Sequence, residues 1–504
     1  MVKRNIIANF IGRAWTNLLG FIFIPFYLKF LGAEAYGLVG FFATLQSILG
    51  LLDFGIGSTM NRELARLSVR DGASTAQHDL VRTLGGVYWV LAMIGGLVII
   101  AAAPIISRSW LNLQSFPAQE ACDSIRLMGV AIALQFPMSL YQGGLMGLQR
   151  QAQVNIIIVV AGTVRGVGAM LLLWLVCPDI RIFFLWQVAV SAMSTAASFI
   201  VLQRNLPAAH RSPQFRISIL KEIWRYAAAV SANAFVGLIM SQLDKIMLSK
   251  MLTLKMFGYY TIACTAAAAL WSVIIPFTTA IFPQLVRLNE QQNAKQLTKF
   301  FHKASQMLSV LLFPIALVLA FFSKDIILLW TSRPEVAQYA SNIVTILVLG
   351  TMLNGIAAMP GYAATAFGWP QLITFTNTFQ AFLIVPLMWF LVTSYGAEGA
   401  AITYLLLNST YVLFMTPVFF RRYLKKELWL WYIKDQIVPL FFCFITVWAF
   451  SAAMPHSLSK LELVAWLTFT WSVSLCVVAL ATEHVRTALA TLWSVAVSRL
   501  RLAW

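Results

Sequence analysis

Two uninterrupted apolar stretches decide the fold class: Leu97–Ile106 reads LVIIAAAPII, and Leu311–Phe322 reads LLFPIALVLAFF. A strand of an outer-membrane barrel alternates polar and apolar residues at every second position, and neither stretch does so. The whole chain of 504 residues is 60% hydrophobic and 11% charged, with a mean hydropathy of +0.79. Because a membrane-spanning helix takes about 20 apolar residues, this composition requires many spans. The sequence therefore predicts an all-α polytopic membrane protein.

Hydropathy read in a sliding window predicts fourteen transmembrane helices. We expect the first of them to stay in the mature protein, because Met1–Arg4 leads into a span that is too long for a cleavable signal peptide. The predicted spans are 6–28, 36–60, 84–107, 125–147, 154–177, 182–203, 226–249, 257–281, 304–323, 338–362, 372–394, 398–420, 437–455 and 463–482.

The positive charges follow the pattern of a membrane topology. The formal net charge is +18, and 24 of the 36 lysines and arginines fall in segments on one side of the predicted helices. Because basic residues collect in cytoplasmic loops, this bias predicts that both termini lie in the cytoplasm. The basic residues are spread over short segments instead of one domain, so we expect no nucleic-acid partner.

The sequence also matches itself at a shift of 221 residues, which indicates an internal repeat. The first copy contains six spans, an even number, so the second copy enters the membrane from the same side. The repeat is therefore parallel, with its axis along the membrane normal. The matching positions are Lys29 with Lys250, Leu31 with Leu252, Gly37 with Gly258, Leu64 with Leu285, Arg66 with Arg287, Leu67 with Leu288, Tyr141 with Tyr362, and Gly147 with Gly368.

The repeat divides the chain into four parts. Residues 1–210 form an N-terminal six-helix lobe, and residues 211–432 form a C-terminal six-helix lobe. Residues 433–482 add two transmembrane helices without a counterpart, which pack outside the lobes or line an additional feature. Residues 483–504 carry apolar side chains on one helical face, which predicts an amphipathic helix on the cytoplasmic surface.

The sequence contains no recognisable catalytic motif. The five histidines, His78, His210, His302, His456 and His484, are predicted to lie solvated in loops or in the tail. None has a metal-ligand partner at helical spacing, and no nucleophile motif accompanies them. The five cysteines contain no CxxC pair, so neither a disulfide framework nor a metal site is expected. We expect a protein that is not an enzyme.

Two arginines fall inside predicted spans, where a charge costs at least ~2.5–3.5 kcal/mol unless it faces a cavity or a partner. Arg165 lies about eleven residues from either end of its span, or roughly 16 Å, too deep for its side chain to reach the surface. We expect it to line a polar cavity. Arg13 lies near the cytoplasmic end of its span, so a side chain that reaches the surface explains it equally well.

Two aspartates and a lysine are also intramembrane. Asp53 is expected to be paired or protonated, and it either joins helices through an ion pair or relays a proton or cation. Asp244 and Lys245 are adjacent, so on a helix they point about 100° apart and should not satisfy each other. Asp244 is then expected to find its partner on another helix.

The chain resembles the oligosaccharide flippases of the polysaccharide transporter family, within the multidrug/oligosaccharidyl-lipid/polysaccharide exporter superfamily. The resemblance covers the whole chain, and the second lobe carries the characteristic Gln242–Ile246 (QLDKI) and Phe257–Tyr260 (FGYY). It implies an alternating-access carrier in the bacterial cytoplasmic (inner) membrane. The first-lobe positions that resemble the family are Asn17–Gly20 (NLLG), Pro25, Phe30–Gly32 (FLG), Tyr36–Gly37 and Leu52–Gly55 (LDFG).

The resemblance implies a substrate, namely an undecaprenyl-pyrophosphate-linked oligosaccharide flipped from the cytoplasmic to the periplasmic leaflet for lipopolysaccharide or exopolysaccharide synthesis. A polysaccharide polymerase and a chain-length regulator are the partners it suggests, and no cofactor is expected. Arg13 and Arg165 are candidates for binding the diphosphate. Asp53, Asp244 and Lys245 are candidates for coupling to H⁺ or Na⁺. The candidates for sugar contacts are Tyr141, Gln142, Tyr362 and Asn377.

Three alternatives remain. A multidrug cation antiporter of the same superfamily would need acidic groups in its cavity and has twelve spans. A membrane glycosyl polymerase or acyltransferase would need a long external loop with reactive residues, and the longest predicted one, 108–124, is too short. A purely structural scaffold should not tolerate charges deep in the membrane.

Overall fold

The computed structural model describes residues 2–53, 55–209, 211–221, 242–455 and 457–487. These residues are almost entirely helical, and their one β-type pairing is an isolated bridge between Asn112 and Thr253. Within them, eleven helical stretches are long and apolar enough to cross a membrane. The prediction of an all-α polytopic membrane protein is therefore confirmed.

The chain forms two compact units, Met1–Thr261 and Ile262–Trp504. The first unit contains six named helices and a further helical segment at 242–251. The named helices are α1 (Val2–Leu49), α2 (Ile56–Leu67), α3 (Ser74–Ile105), α4 (Ala118–Gly147), α5 (Gln151–Leu175) and α6 (Ile180–Asn205).

Helix α7 (Leu254–Ala268) crosses into the second unit. Up to residue 487, eight longer helices follow it, besides the three-residue helix Leu428–Leu430. They are α8 (Trp271–Glu290), α9 (Ala294–Phe321), α10 (Ser323–Thr331), α11 (Pro334–Ala366), α12 (Gln371–Thr410), α13 (Thr416–Tyr423), α14 (Val438–Ala452) and α15 (Lys460–Ala481).

The eleven stretches in the described residues correspond to thirteen of the fourteen predicted spans. Gly32, with φ 81°, kinks α1 between the first two spans, and Gly396, with φ 58°, kinks α12 between the eleventh and twelfth. Each kink leaves two spans in one continuous stretch, and most of the predicted span 226–249 lies outside the described residues. Most of the predicted amphipathic tail, residues 488–504, lies outside them too.

One predicted span is wrong in its continuity. The span 36–60 is interrupted by a short 3₁₀ turn at Gly50–Asp53, and α2 begins only at Ile56. Gly55, with φ 65°, adopts the left-handed conformation that glycine accepts without strain. Glycines at both ends of the turn thus break the helix despite its apolar composition.

Polar residues at the loop ends start several helices, as their sequence positions require. The side chain of Asp179 accepts the N–H of Arg181 at 2.7 Å, and that of Asn293 accepts the N–H of Gln296 at 3.1 Å. Ser459 forms a capping box with Glu462 at the start of α15. Hydrogen bonds from the Arg181 side chain also hold the pKa of Asp179 below its usual range.

Loops that are predicted to lie on the same side of the membrane contact each other. Asp79 accepts hydrogen bonds from the Arg211 side chain at 2.5 Å and from the Gln214 N–H at 2.7 Å, joining two segments predicted to be cytoplasmic. On the opposite side, Glu34 accepts the N–H of Gln114 at 2.9 Å. These contacts agree with the relative sidedness of the loops, while the absolute orientation remains a prediction.

Segments related by the repeat pack against each other within the first unit. A Cβ added to Gly258 would lie 2.7 Å from the carbonyl oxygen of Ala33, and a Cβ added to Gly37 would overlap the carbonyl oxygen of Leu254. Ala33 corresponds to Leu254 at the shift of 221, as Gly37 corresponds to Gly258. The contact is thus reciprocal, as a two-fold relation between parallel repeats requires. We call it the reciprocal glycine contact.

Helices α14 and α15 pack against α9 and against each other. Residues of α9, α11 and the start of α14 line an apolar cavity of about 570 Å³. Of the two helices without a repeat counterpart, α14 contributes residues to this lining. Its lining includes Phe321 and Phe444, whose ring centroids lie 5.3 Å apart.

Candidate functional site

Arg165 lies where α1, α4 and α5 meet. Its Nη2 donates to Gln135 Oε1 at 3.4 Å, and the same oxygen accepts Gln46 Nε2 at 2.8 Å. The Nε of Arg165 is buried and has no hydrogen-bond partner among the described residues. No carboxylate in the described part of the chain forms an ion pair with Arg165. Within the described residues the guanidinium is therefore held by an amide and is not paired with a carboxylate.

Two glutamines on α4 extend this polar region. Gln135 and Gln142 are spaced seven residues apart, so they share one helical face, whereas Gln149 lies in the turn after α4. The Nε2 of Gln142 is buried without a hydrogen-bond partner in the described structure. Sequence reasoning identified Gln142 but missed Gln46 and Gln135. The sequence feature that could have identified them is a glutamine within an apolar predicted span.

The backbone of Arg13 belongs to α1, but its side chain lies outside the described part of the structure. Its neighbour Trp15 donates a hydrogen bond from Nε1 to Thr163 Oγ1 at 2.9 Å. Thr163 precedes Arg165 by two residues on α5. The start of α1 therefore runs beside the part of α5 that carries Arg165.

Asp53 lies in the break between α1 and α2, and it is half-buried. Its Oδ1 accepts the backbone N–H of Gly57 at 3.1 Å, which satisfies one of the free donors at the start of α2. This contact gives the carboxylate a structural role at the helix terminus. Within the described residues no cation pairs with Asp53, so the expectation of a helix-joining ion pair finds no partner there.

Asp244 finds its partner on another helix, as the sequence predicts. Tyr260 Oη on α7 donates to Asp244 Oδ2 at 2.7 Å, which joins the two motifs of the second copy. Lys245 Nζ lies 3.7 Å from Asp244 Oδ1, so the adjacent pair does interact weakly. At this distance no hydrogen bond forms, and Asp244 Oδ1 has no hydrogen-bond partner among the described residues. A long lysine side chain can bend back toward its neighbour.

Tyr141 occupies a core position. Its side chain is 4% exposed and packs in the apolar cluster of the first unit. Its hydroxyl accepts the Nε1–H of Trp89 at 3.1 Å. The repeat-related Tyr362 is in a different environment.

Tyr362 and Asn377 line one cavity of about 350 Å³ in the second unit. Tyr411 Oη donates to Asn377 Oδ1 at 2.5 Å, and Asn354 Nδ2 donates to Asn408 Oδ1 at 2.7 Å. The lining is mostly apolar, with four aromatic side chains and the amides of two asparagines. The lining residues are Trp271, Phe282, Asn354, Ala357, Ala358, Gly361, Tyr362, Thr365, Ile373, Asn377, Tyr411 and Met415.

The histidine predictions were wrong for two residues. His78 lies in the first turns of α3, and His302 lies in α9 with 6% of its surface exposed. Helix α9 begins ten residues before the predicted span, so its polar first turns were mistaken for a loop. His210 and His456 lie outside the described residues. The five cysteines are free, and no group of three metal-ligating side chains occurs in the described ranges.

The comparisons with known proteins agree with this architecture. The lipid II flippase MurJ in its inward closed conformation superposes with a TM-score of 0.73 at 13% identity, covering 94% of this chain and 98% of that chain. An inward-facing multidrug resistance MATE family transporter of the MOP superfamily gives 0.64 at 15% identity, covering 81% and 94%. These similarities establish the fold.

Sequence comparison identifies the family. A protein of Shigella flexneri named "Putative O-antigen transporter" is 19% identical over 408 residues, which cover 80% of this chain and 94% of that protein. The family described as polysaccharide biosynthesis protein matches residues 2–289, more than half of the chain. The resemblance inferred from the sequence motifs is confirmed, and the chain belongs to the polysaccharide biosynthesis protein family.

Proposed function

We propose that the protein flips undecaprenyl-pyrophosphate-linked oligosaccharide repeat units from the cytoplasmic to the periplasmic leaflet of the bacterial inner membrane. The units would serve the synthesis of a surface polysaccharide, either a lipopolysaccharide or an exopolysaccharide. The family, the fold and the named Shigella flexneri relative support this proposal. Transport by alternating access, without catalysis by the protein, is part of it.

The observation that carries the proposal is the guanidinium of Arg165. A charge inside a span is costly, and its described protein partner is an uncharged amide. An anionic substrate would supply the missing charge and leave with it at the end of each cycle. A diphosphate suits this role, because phosphate oxygens accept paired hydrogen bonds from a guanidinium. Arg13 is the second candidate for this contact.

The sugar part would contact aromatic and amide side chains. Tyr362 and Asn377 line the cavity of the second unit, beside Trp271 and Tyr411. An aromatic face packs against the C–H groups of a sugar ring, and amides hydrogen-bond its hydroxyls. Gln142 has a buried amide without a described partner, which makes it the stronger candidate in the first unit. Tyr141 would act through packing.

The remaining parts of the proposal rest on the family. A polysaccharide polymerase and a chain-length regulator would act on the flipped units. Asp53, Asp244 and Lys245 are the proposed coupling groups for H⁺ or Na⁺. A cation antiporter is the alternative, since the fold is shared with MATE transporters. The uncompensated positive charge at Arg165 favours an anionic substrate over a cationic one.

Substitution of Arg165 tests the proposal. Arg165→Ala should abolish restoration of surface polysaccharide in cells that lack their own flippase. Arg165→Lys should impair it markedly, because a lysine offers a point charge in place of a planar pair of donors. The measurement is surface polysaccharide at matched membrane levels of each variant.

Arg181→Ala is the matched control. Arg181 is an arginine of the same unit whose charge is paired with Asp179 at 2.6 Å. It should restore polysaccharide as the unchanged protein does. Full restoration by Arg165→Ala would show that this arginine only joins helices, and diphosphate binding there would have to be abandoned.

A further inference from the structure

A buried polar cluster in the second unit lies apart from the proposed substrate contacts. His302 on α9 is 6% exposed, and its Nδ1 lies 2.5 Å from Asp435 Oδ2. Its Nε2 lies 3.3 Å from Glu427 Oε2. Asp435 is 1% exposed, whereas the side chain of Glu427 is 31% exposed. The imidazole thus lies between a buried carboxylate and one that reaches solvent.

The protonation state of His302 follows from this geometry. A neutral imidazole carries one N–H and can donate to only one of the two carboxylates. Its other nitrogen would then present a lone pair to a negative oxygen. The imidazolium form carries two N–H groups and suits both contacts. The Nε2 contact is an ion pair without hydrogen-bond alignment, so it depends on the charge of the ring.

Both carboxylates lie on one segment, residues 424–437, which we call the connector because it joins α13 to α14. The connector includes a seven-residue π-helical turn at Trp431–Ile437. Such turns are rare and frequently occur at functional sites. The turn carries Asp435, and α14 begins directly after it. The charge of His302 therefore acts on the segment that positions α14.

Further hydrogen bonds join the connector to α9. Gln306 Nε2 donates to Asp435 Oδ1 at 2.8 Å, and Ser309 Oγ donates to the Asp435 carbonyl at 2.8 Å. The Oε1 of Gln306 accepts the N–H of His484, which follows α15, at 2.9 Å. The cluster thus holds both the start of α14 and the end of α15 on α9.

Few other charges act on the cluster. Lys434 and Glu483, at the edges of the connector and α15, pair with each other at 3.7 Å. The charged groups that act on His302 are Asp435 and Glu427. The other helices packed against α9, namely α8, α10 and α11, add no charged partner to it within the described residues.

We propose that His302, Asp435 and Glu427 form a proton-binding site that keeps the connector, and with it α14, docked on α9. With the proton bound, the three groups carry a net charge of −1; without it they carry −2 in a largely buried space. Loss of the proton therefore weakens docking as the pH rises. Helix α14 is one wall of the apolar cavity. The width of that cavity therefore depends on the pH of the solution that reaches Glu427.

Hydrogen–deuterium exchange of the purified full chain in detergent tests the proposal. After correction for intrinsic exchange, amides of 424–437 should exchange on the order of tenfold faster at about pH 8.5 than at about pH 5.5. His302→Gln cannot bind the proton, so its connector should exchange fast at both pH values. His78→Gln, which changes a histidine of the first unit, should behave like the unchanged protein.

Glu427→Gln provides a second measurement that does not depend on folding of His302→Gln. Removal of the half-exposed negative charge weakens proton binding, so the pH midpoint of connector exchange should move lower. A connector whose exchange is independent of pH, or equally dependent on pH in His302→Gln, would overturn the proposal. An unchanged midpoint in Glu427→Gln would do the same.

Discussion

Two charged residues of the first unit, Asp79 and Arg165, differ in whether the described structure pairs them with an opposite charge. Asp79, which is 1% exposed, is paired with both Arg211 and Arg216. Arg165, inside a span, has an amide as its described partner. A chain able to bury a carboxylate beside two arginines could supply one to Arg165 as well. Under the proposed function, an anionic ligand supplies the counter-charge that the described residues do not provide.

Gly37 supports a prediction at the same scale. A Cβ at this position would overlap the Leu254 carbonyl, whereas a Cβ at Gly20, also in α1, would meet nothing within 4 Å. Gly37→Val should lower stability by about 1–3 kcal/mol or more, because backbone must move to accept the side chain. Gly20→Ala should be neutral or slightly stabilising. Thermal unfolding in detergent measures both, and equal melting of the two variants would contradict the close helix contact.

The elements show where sequence patterns were sufficient. Continuous apolar runs predicted the described membrane-spanning stretches, and Gly32 and Gly396 lie where adjacent spans were separated. They did not predict the short helix α10, which lies between the predicted spans 304–323 and 338–362. Hydropathy could not detect the break before α2, because Gly50–Asp53 is apolar apart from Asp53. It also placed the start of α9 too late, because the first turns of this helix contain buried polar residues such as His302 and resemble a loop in composition. Contacts between distant segments, such as His302 with Asp435, leave no trace in local periodicity.

The break before α2 allows the two possible roles of Asp53 to be separated. Asp53→Asn keeps an oxygen for the Gly57 N–H but removes the charge, whereas Asp53→Ala removes both. If Asp53 couples transport to protons, Asp53→Asn should keep its stability and lose the pH dependence of transport. Asp53→Ala should in addition lose about 0.5–2 kcal/mol of stability. Normal transport by Asp53→Asn across a range of pH values would leave only the helix-terminus role.

At the scale of the whole molecule, the contacts between loops agree with the predicted assignment of each loop to one of the two sides of the membrane. Segments predicted to share a side contact one another, as Lys460 does with Ser332 at 3.3 Å. Windowed hydropathy predicted spans that the described helical stretches match, while the parallel repeat and its lobe boundaries stay predictions. The compact units divide at Thr261, beyond the predicted lobe boundary at 210, because the start of the second copy packs on the first unit. That packing depends on glycine contacts far apart in the chain.

The absolute orientation is a prediction for the whole molecule. Reporter fusions after Asn205 and after Arg422 should report the cytoplasm, because these segments belong to the side that holds 24 of the 36 lysines and arginines. A fusion after Arg333 should report the opposite side. The same reporter at all three positions serves as its own control for expression. A periplasmic signal after Asn205 would be incompatible with six spans in the first lobe.

The reciprocal glycine contact also sets an order in time for synthesis of the chain. Translation at about 5–20 residues per second separates residue 210 from Thr261 by about 3–10 s. During this interval the first lobe is inserted, but Gly37 still lacks the Leu254 backbone against which it packs. A ribosome that stops between the two copies therefore leaves a membrane-inserted fragment with an unoccupied glycine face. The contact is therefore completed only when residues 254–258 have been made, about halfway along the 504-residue chain.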